Sequence, residues 1–162
     1  MVHCSKLLPP LYELPTCFPR YYGGVLLVGV GSFALNMFLA ARVVQGRKKW
    51  DIQAPLMYHP TNEEFNCIQR AHQNYLESLP FFLMSLFVGG LRSPVGAAVV
   101  GSIYLVGRVV YYHGYTSGNP KNRCRGAFGF FALALLMLNM SVTGVQHLVA
   151  SMRAGSCCPM SR

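Results

Sequence analysis

The chain has 162 residues, 52% of them hydrophobic and 12% charged, with a formal net charge of +9. Soluble domains carry about twice that charged fraction, so composition sets them aside for a polytopic membrane protein with room for four spans of about twenty residues. Nucleic acid is a poor fit for the positive charge, because most Lys and Arg residues form two clusters beside hydrophobic spans.

Those clusters are Arg42, Arg47, Lys48 and Lys49, then Lys121, Arg123 and Arg125. They mark cytosolic loops under the positive-inside rule and would also suit a partly anionic small substrate. The six cysteines, Cys4, Cys17, Cys67, Cys124, Cys157 and Cys158, include no C-x-x-C pair and have no His at zinc spacing. Neither a metal site nor a disulfide framework is expected.

In chain order, residues 1–20 hold four of the ten prolines and no continuous apolar run, so they read as an irregular leader and not a signal peptide. A first span is predicted from Tyr21 to Val44, with Gly23, Gly24, Gly29, Gly31 and Ser32 allowing close helix contact. Residues 51–62 hold Pro55 and Pro60 and read as an irregular loop. Asn62 is placed to cap a second helix that has Glu63 and Glu64 in its first turn. This helix continues from Phe65 to Val88, with a kink expected at Pro80. The run Gly89-Gly90-Leu91-Arg92-Ser93-Pro94 reads as a tight turn between antiparallel helices. The third span covers 95–115, a loop covers 116–122, and the fourth span covers 123–149 before a short tail, 151–162. Four spans put both termini on one side, predicted lumenal, and both basic loops on the cytosolic side.

Two polar stripes stand out. Asn66, Arg70, Asn74 and Glu77 are four, four and three residues apart and share a helix face, as do Tyr104, Arg108, Tyr111 and Tyr115 in the third span. Arg at membrane depth costs several kcal/mol unless it is paired, so Arg108 needs an anionic partner, either Glu77 or a ligand carboxylate. Together the stripes suit a small zwitterion near the cytosolic interface. Arg47, Arg70 and Arg108 would anchor carboxylates, Glu77 an ammonium, and Gln73 and Asn74 amides. His72 lies off the stripe and reads as a packing residue.

The stretch Phe65-Asn66-Cys67-Ile68-Gln69-Arg70-Ala71-His72-Gln73-Asn74, followed by Glu77 and by Arg108-x-x-Tyr111-x-x-x-Tyr115, resembles the MAPEG family of membrane-associated proteins in eicosanoid and glutathione metabolism. Its Arg-Ala-His-Gln-Asn wording is most similar to the type-three microsomal glutathione transferase branch. The resemblance covers roughly residues 21–150. It implies an all-α, four-helix membrane bundle, assembled as a homotrimer with its site between subunits. Gly24, Gly29, Ala97 and Gly101 are compatible with such close packing. It further implies glutathione as co-substrate, with no metal or other cofactor, bound by Arg47, Arg70, Asn74, Glu77, Arg108, Tyr111 and Tyr115.

The implied activity is conjugation of the glutathione thiolate to lipophilic electrophiles such as leukotriene A4-like epoxides, together with reduction of lipid hydroperoxides. Ionising a thiol near pKa 8.5 at neutral pH needs about 1.4–3 kcal/mol of anion stabilisation. In relatives an Arg at the start of the fourth span supplies it. Arg123 is the first choice here and Arg125 the reserve. Ser78 and Leu79 stand where some relatives carry a Tyr. A non-catalytic lipid-presenting membrane protein of the same family is the alternative. Cys157 and Cys158 suggest S-acylation, which conflicts with a lumenal tail. Endoplasmic reticulum membrane is the implied location, with the outer mitochondrial membrane second.

Overall fold

The computed structural model describes residues 18–156. Four long helices account for most of them: α1 (Tyr22–Lys49), α2 (Glu63–Arg92), α3 (Pro94–Tyr115) and α4 (Phe128–Ser156). A 3₁₀ helix (Pro120–Gly126) precedes α4. The central pair, α2 and α3, each pack on both α1 and α4. Among the described residues, three helices are long and apolar enough to cross a membrane: α1, α3, and α4 as far as Arg153. At 30 residues α2 is about 45 Å long, enough to span, but its polar first half dilutes its hydropathy.

Local chemistry explains where α2 begins. The Asn62 side chain accepts a hydrogen bond from Phe65 N (2.9 Å), and Glu63 and Glu64 occupy the first turn. Asn66 does not join the polar stripe. It accepts from His59 N and donates to His59 O, both at 2.8 Å, and so clasps the preceding loop to the helix. Pro80 sits within the helix, which continues on both sides of it.

α1 runs past the expected end at Val44 to Lys49, and three further boundaries differ from the sequence reading. The Gly89–Arg92 stretch is helical, so only Ser93 joins α2 to α3. The two glycines serve contact and not turning: a Cβ on Gly89 would lie 2.7 Å from Asn139 Nδ2, and one on Gly90 3.0 Å from Val25. Asn139 Nδ2 donates to Gly89 O (2.9 Å), and its Oδ1 accepts from Ser93 Oγ (3.2 Å), which fastens α4 to this corner. The fourth helix starts at Phe128, so Arg123 and Arg125 lie on the 3₁₀ helix before it. It also runs to Ser156, taking in residues expected to form the tail. Cys157 and Cys158, and residues 1–17 of the leader, lie outside the described residues.

The small residues anticipated at subunit contacts are used within the chain. Gly24 faces Ala98, Gly29 faces the Phe87 ring, Gly101 faces Leu86 and Val28, and Ala97 is buried. Across α1 and α2, Tyr75 Oη donates to Ser32 O (2.8 Å) and His72 Nε2 meets Asn36 Oδ1 (3.2 Å), so His72 is a packing residue.

A second glycine seam brings the 3₁₀ helix and α4 onto α3. A Cβ on Gly126 would stand 2.6 Å from Tyr111 Cα, and one on Gly107 2.6 Å from Gly129 Cα. Because backbone blocks each position, Gly126→Ala is expected to displace the 3₁₀ helix and cost about 1–3 kcal/mol. Gly144 has nothing within 4 Å of its position, so Gly144→Ala should stabilise α4 by about 0.5–1 kcal/mol. Thermal melts of the purified protein in detergent should move in opposite directions for the two variants.

Candidate functional site

The seam sets the 3₁₀ helix beside the N-terminal half of α2 and the C-terminal end of α3 and borders a cleft of about 390 Å³. Arg70, Asn74, Tyr111, Tyr115, Arg123, Cys124, Ala127 and Phe130 line it. An adjoining cavity of about 370 Å³, lined by Asn74, Glu77, Ser78, Phe81, Phe130, Leu133 and Met137, is mostly apolar. The two share Asn74 and Phe130, so a polar recess and an apolar one meet there.

Arg108 lies behind this wall and is only 2% exposed. Its Nη2 donates to Asn74 Oδ1 (2.8 Å). Its guanidinium carbon lies 4.6 Å from the Tyr111 ring centroid, 5.0 Å from Phe130 and 5.9 Å from Tyr75. Aromatic faces thus supply electron density around a cation that, among the described residues, has no carboxylate against it. Nε and Nη1 are buried without a hydrogen-bond partner. The Glu77 carboxylate, expected as a partner for Arg108, instead pairs with Arg70 at 3.1 Å, with both side chains nearly half exposed.

Arg108 nevertheless shapes the cleft through Asn74. A guanidinium can only donate, so the Asn74 carbonyl oxygen must face it. The Asn74 NH₂ therefore points away and is left free to donate. The cleft accordingly holds two guanidiniums (Arg70, Arg123), an amide donor (Asn74) and two phenols (Tyr111, Tyr115). Such a lining favours an anionic, carboxylate-bearing ligand.

Arg123 is exposed, with its Nη1 3.4 Å from Tyr115 Oη and its guanidinium carbon 5.2 Å from the Tyr115 ring. Arg125 lies on the same 3₁₀ helix, outside the cleft's lining residues. Gln73 accepts from Tyr58 Oη (2.5 Å), at the edge of the loop. Arg47 is not brought to the cleft. Its Nη2 donates to the carbonyls of Leu56 (2.8 Å) and Gln53 (3.3 Å) and pins the 51–62 loop.

Two features go beyond the sequence reading. Ser78 Oγ meets the buried Tyr104 hydroxyl at 2.7 Å, while the Tyr104 ring stacks on Phe82 at 4.3 Å. Tyr104 therefore braces α2 against α3 and does not line the cleft. Phe130, a wall of both recesses, carried no polar signal that could have singled it out.

The MAPEG family model matches residues 25–143. The chain belongs to the MAPEG family. It is 30% identical to human microsomal glutathione S-transferase 2 over 112 residues, covering 68% of this chain and 75% of the relative. It is 30% identical to rat leukotriene C4 synthase over 133 residues, covering 80% and 85%. An uncharacterised Synechocystis protein, sll1147, is 31% identical over 105 residues, covering 64% and 75%. These relatives give no support to the type-three branch suggested by the Arg-Ala-His-Gln-Asn wording. Family membership and the three apolar helices make this MAPEG chain a multi-pass membrane protein.

Among the described residues, Asn74 is the one hydrogen-bond acceptor for Arg108. Asn74→Ala should therefore destabilise the protein by about 2–3 kcal/mol, the cost of stranding a buried charged donor. Asn74→Asp should restore stability by giving the guanidinium a carboxylate. Equal melting temperatures for the Ala and Asp variants would show that Arg108 does not depend on this acceptor.

Proposed function

We propose that this MAPEG protein is a membrane glutathione transferase. It joins the glutathione thiolate to lipophilic electrophiles such as leukotriene A4-like epoxides, forming leukotriene C4-type conjugates, and it reduces lipid hydroperoxides. The observation that carries this reading is the donor-rich cleft flanked by Arg70 and Arg123 and adjoining an apolar recess. The names of the relatives agree with it.

Arg70 binds a glutathione carboxylate, Glu77 receives the ammonium, and the free NH₂ of Asn74 donates to a peptide carbonyl. Arg108 acts from behind by fixing the amide orientation of Asn74. Tyr111 and Tyr115 complete the binding surface. Arg123, on the wall of the cleft, stabilises the thiolate electrostatically. With an epoxide, sulfur attacks a ring carbon, the C–O bond breaks and the alkoxide takes up a proton. With a hydroperoxide, sulfur attacks oxygen and the O–O bond breaks, giving an alcohol and glutathione sulfenic acid. A second glutathione converts the latter to disulfide and water.

The hydrocarbon part of the electrophile enters from the bilayer along Phe81, Leu133 and Met137. No metal or further cofactor takes part. The same reading assembles the chain as a homotrimer in the endoplasmic reticulum membrane, with exposed Phe131, Leu135 and Leu138 on α4 available to lipid or a neighbouring copy.

Arg123→Ala should lower the conjugation rate roughly 100-fold or more, by analogy with losing one anion-stabilising donor, and remove the ultraviolet thiolate absorbance of bound glutathione. Arg125→Ala should leave both within a few-fold. Arg70→Ala should weaken equilibrium glutathione binding by about tenfold or more, the loss of a charge-assisted contact. If the unsubstituted protein binds no glutathione in calorimetry, the transferase reading fails and a lipid-presenting role takes its place.

A further inference from the structure

The basic cluster at the end of α1 takes no part in the ligand cleft, and two of its side chains border a cavity of their own. Where α1 leaves its apolar stretch it packs on the start of α2, around a cavity of about 150 Å³. Arg42, Gln45, Lys49 and Trp50 form one wall, and Glu64 and Ile68 of α2 form the other. The two cations are held in place. Arg42 Nε donates to Tyr112 Oη (2.9 Å) and Nη1 to Gln45 Oε1 (3.0 Å), while Lys49 Nζ sits 4.2 Å from the Trp50 ring centroid. Glu64 is the one carboxylate among the lining residues, and it pairs with Lys49 at 3.4 Å. Those two side chains are 62% and 61% exposed, so an arriving anion competes only with a weak surface contact.

A second feature runs down the helix from this cavity. Leu27, Val30, Ala34 and Phe38 are three, four and four residues apart, and the spacing continues into Arg42, Gln45 and Lys49. One face of α1 therefore carries all seven. Leu27, Val30 and Phe38 are 73%, 65% and 43% exposed. From Leu27 to Phe38 this apolar lane is about 16 Å long, roughly half the hydrocarbon thickness of a bilayer. Its length thus suits the acyl chain of a lipid in one leaflet, with fixed cations where the headgroup begins.

We propose that this face of α1 is a binding site for a glycerophospholipid whose headgroup carries net negative charge. Arg42 and Lys49 take the phosphate, and one acyl chain lies along Phe38 toward Leu27. A zwitterionic lipid brings its own cation up to Arg42 and Lys49, so the site discriminates by headgroup charge. The bound lipid ties α1 to α2 and, through Arg42 and Tyr112, to α3. The inference is independent of the glutathione reading, since no residue of this cavity lines the ligand cleft.

The test titrates the full-length detergent-purified protein with phosphatidylinositol, with phosphatidylcholine of the same acyl chains, and with water-soluble glycerophosphoinositol. Native mass spectrometry counts the bound molecules. Phosphatidylinositol should bind at least about tenfold more tightly than phosphatidylcholine, and the soluble headgroup should not bind at the same concentrations. Arg42→Gln and Lys49→Gln should each lower the preference for phosphatidylinositol roughly fivefold. Glu64→Gln removes the competing carboxylate and should raise the preference by about the same factor, a gain that misfolding does not mimic. Lys121→Gln removes a charge from the other basic cluster and should leave the preference unchanged.

Equal binding of the two lipids overturns the proposal, as does an equal loss for Lys121→Gln and Arg42→Gln, since either marks diffuse attraction to a basic surface. Headgroup binding as tight as that of the whole lipid overturns it by leaving the apolar lane without a role. A Lys49 cross-link to a second copy of the chain that phosphatidylinositol does not block also overturns it, because the face is then a subunit contact.

Discussion

A single guanidinium, that of Arg108, sits where α2, α3 and α4 come together, and much of the site follows from keeping it buried. Burying an isolated cation is costly, and a cation with an incomplete set of acceptors is tolerated only where its surroundings are well ordered. Here Asn74 comes from α2, Tyr111 from the same face of α3, and Phe130 from α4. Each of these three residues also presents a surface to the cleft. Packing around the cation and the shape of the ligand site are therefore one problem with one solution. The fold cannot lose the buried charge without also losing the wall of the recess.

The glycine seam makes that arrangement possible. Without side chains at Gly107, Gly126 and Gly129, the 3₁₀ helix and the start of α4 approach α3 backbone to backbone. That approach brings Phe130 over Arg108 and swings Arg123 to the Tyr115 side of the cleft. One basic residue of the last loop, Arg123, thus becomes part of the cleft wall. Arg123 faces inward and Arg125 does not, although they are two residues apart.

Helical periodicity and apolar runs made the four-helix framework legible from the sequence, and the spacing of Arg70, Asn74, Glu77, Arg108, Tyr111 and Tyr115 made both stripes legible. Partners distant in sequence were not. Arg108 called for an anion, and Glu77 lay at the right depth, but side-chain reach on the folded helices paired Glu77 with Arg70 and gave Arg108 an amide and aromatic faces. Gly89 and Gly90 look like turn residues because nothing local reveals that Asn139 and Val25 press against them. Arg47 has the charge of a ligand anchor, yet the carbonyls of Gln53 and Leu56 claim it. Asn66 kept the stripe spacing and was drawn off by His59. In each case the local rule was sound and a long-range contact decided the outcome.

The two ends of the central helix pair are built differently. At one end a lone residue, Ser93, joins α2 to α3, and Asn139 stitches that corner to α4. At the other, the chain leaves α3 through a loop and a 3₁₀ helix before α4 begins. The bundle is thus joined by a single residue at the Ser93 end and by a longer connection at the other, the end at which the cleft and its guanidiniums lie.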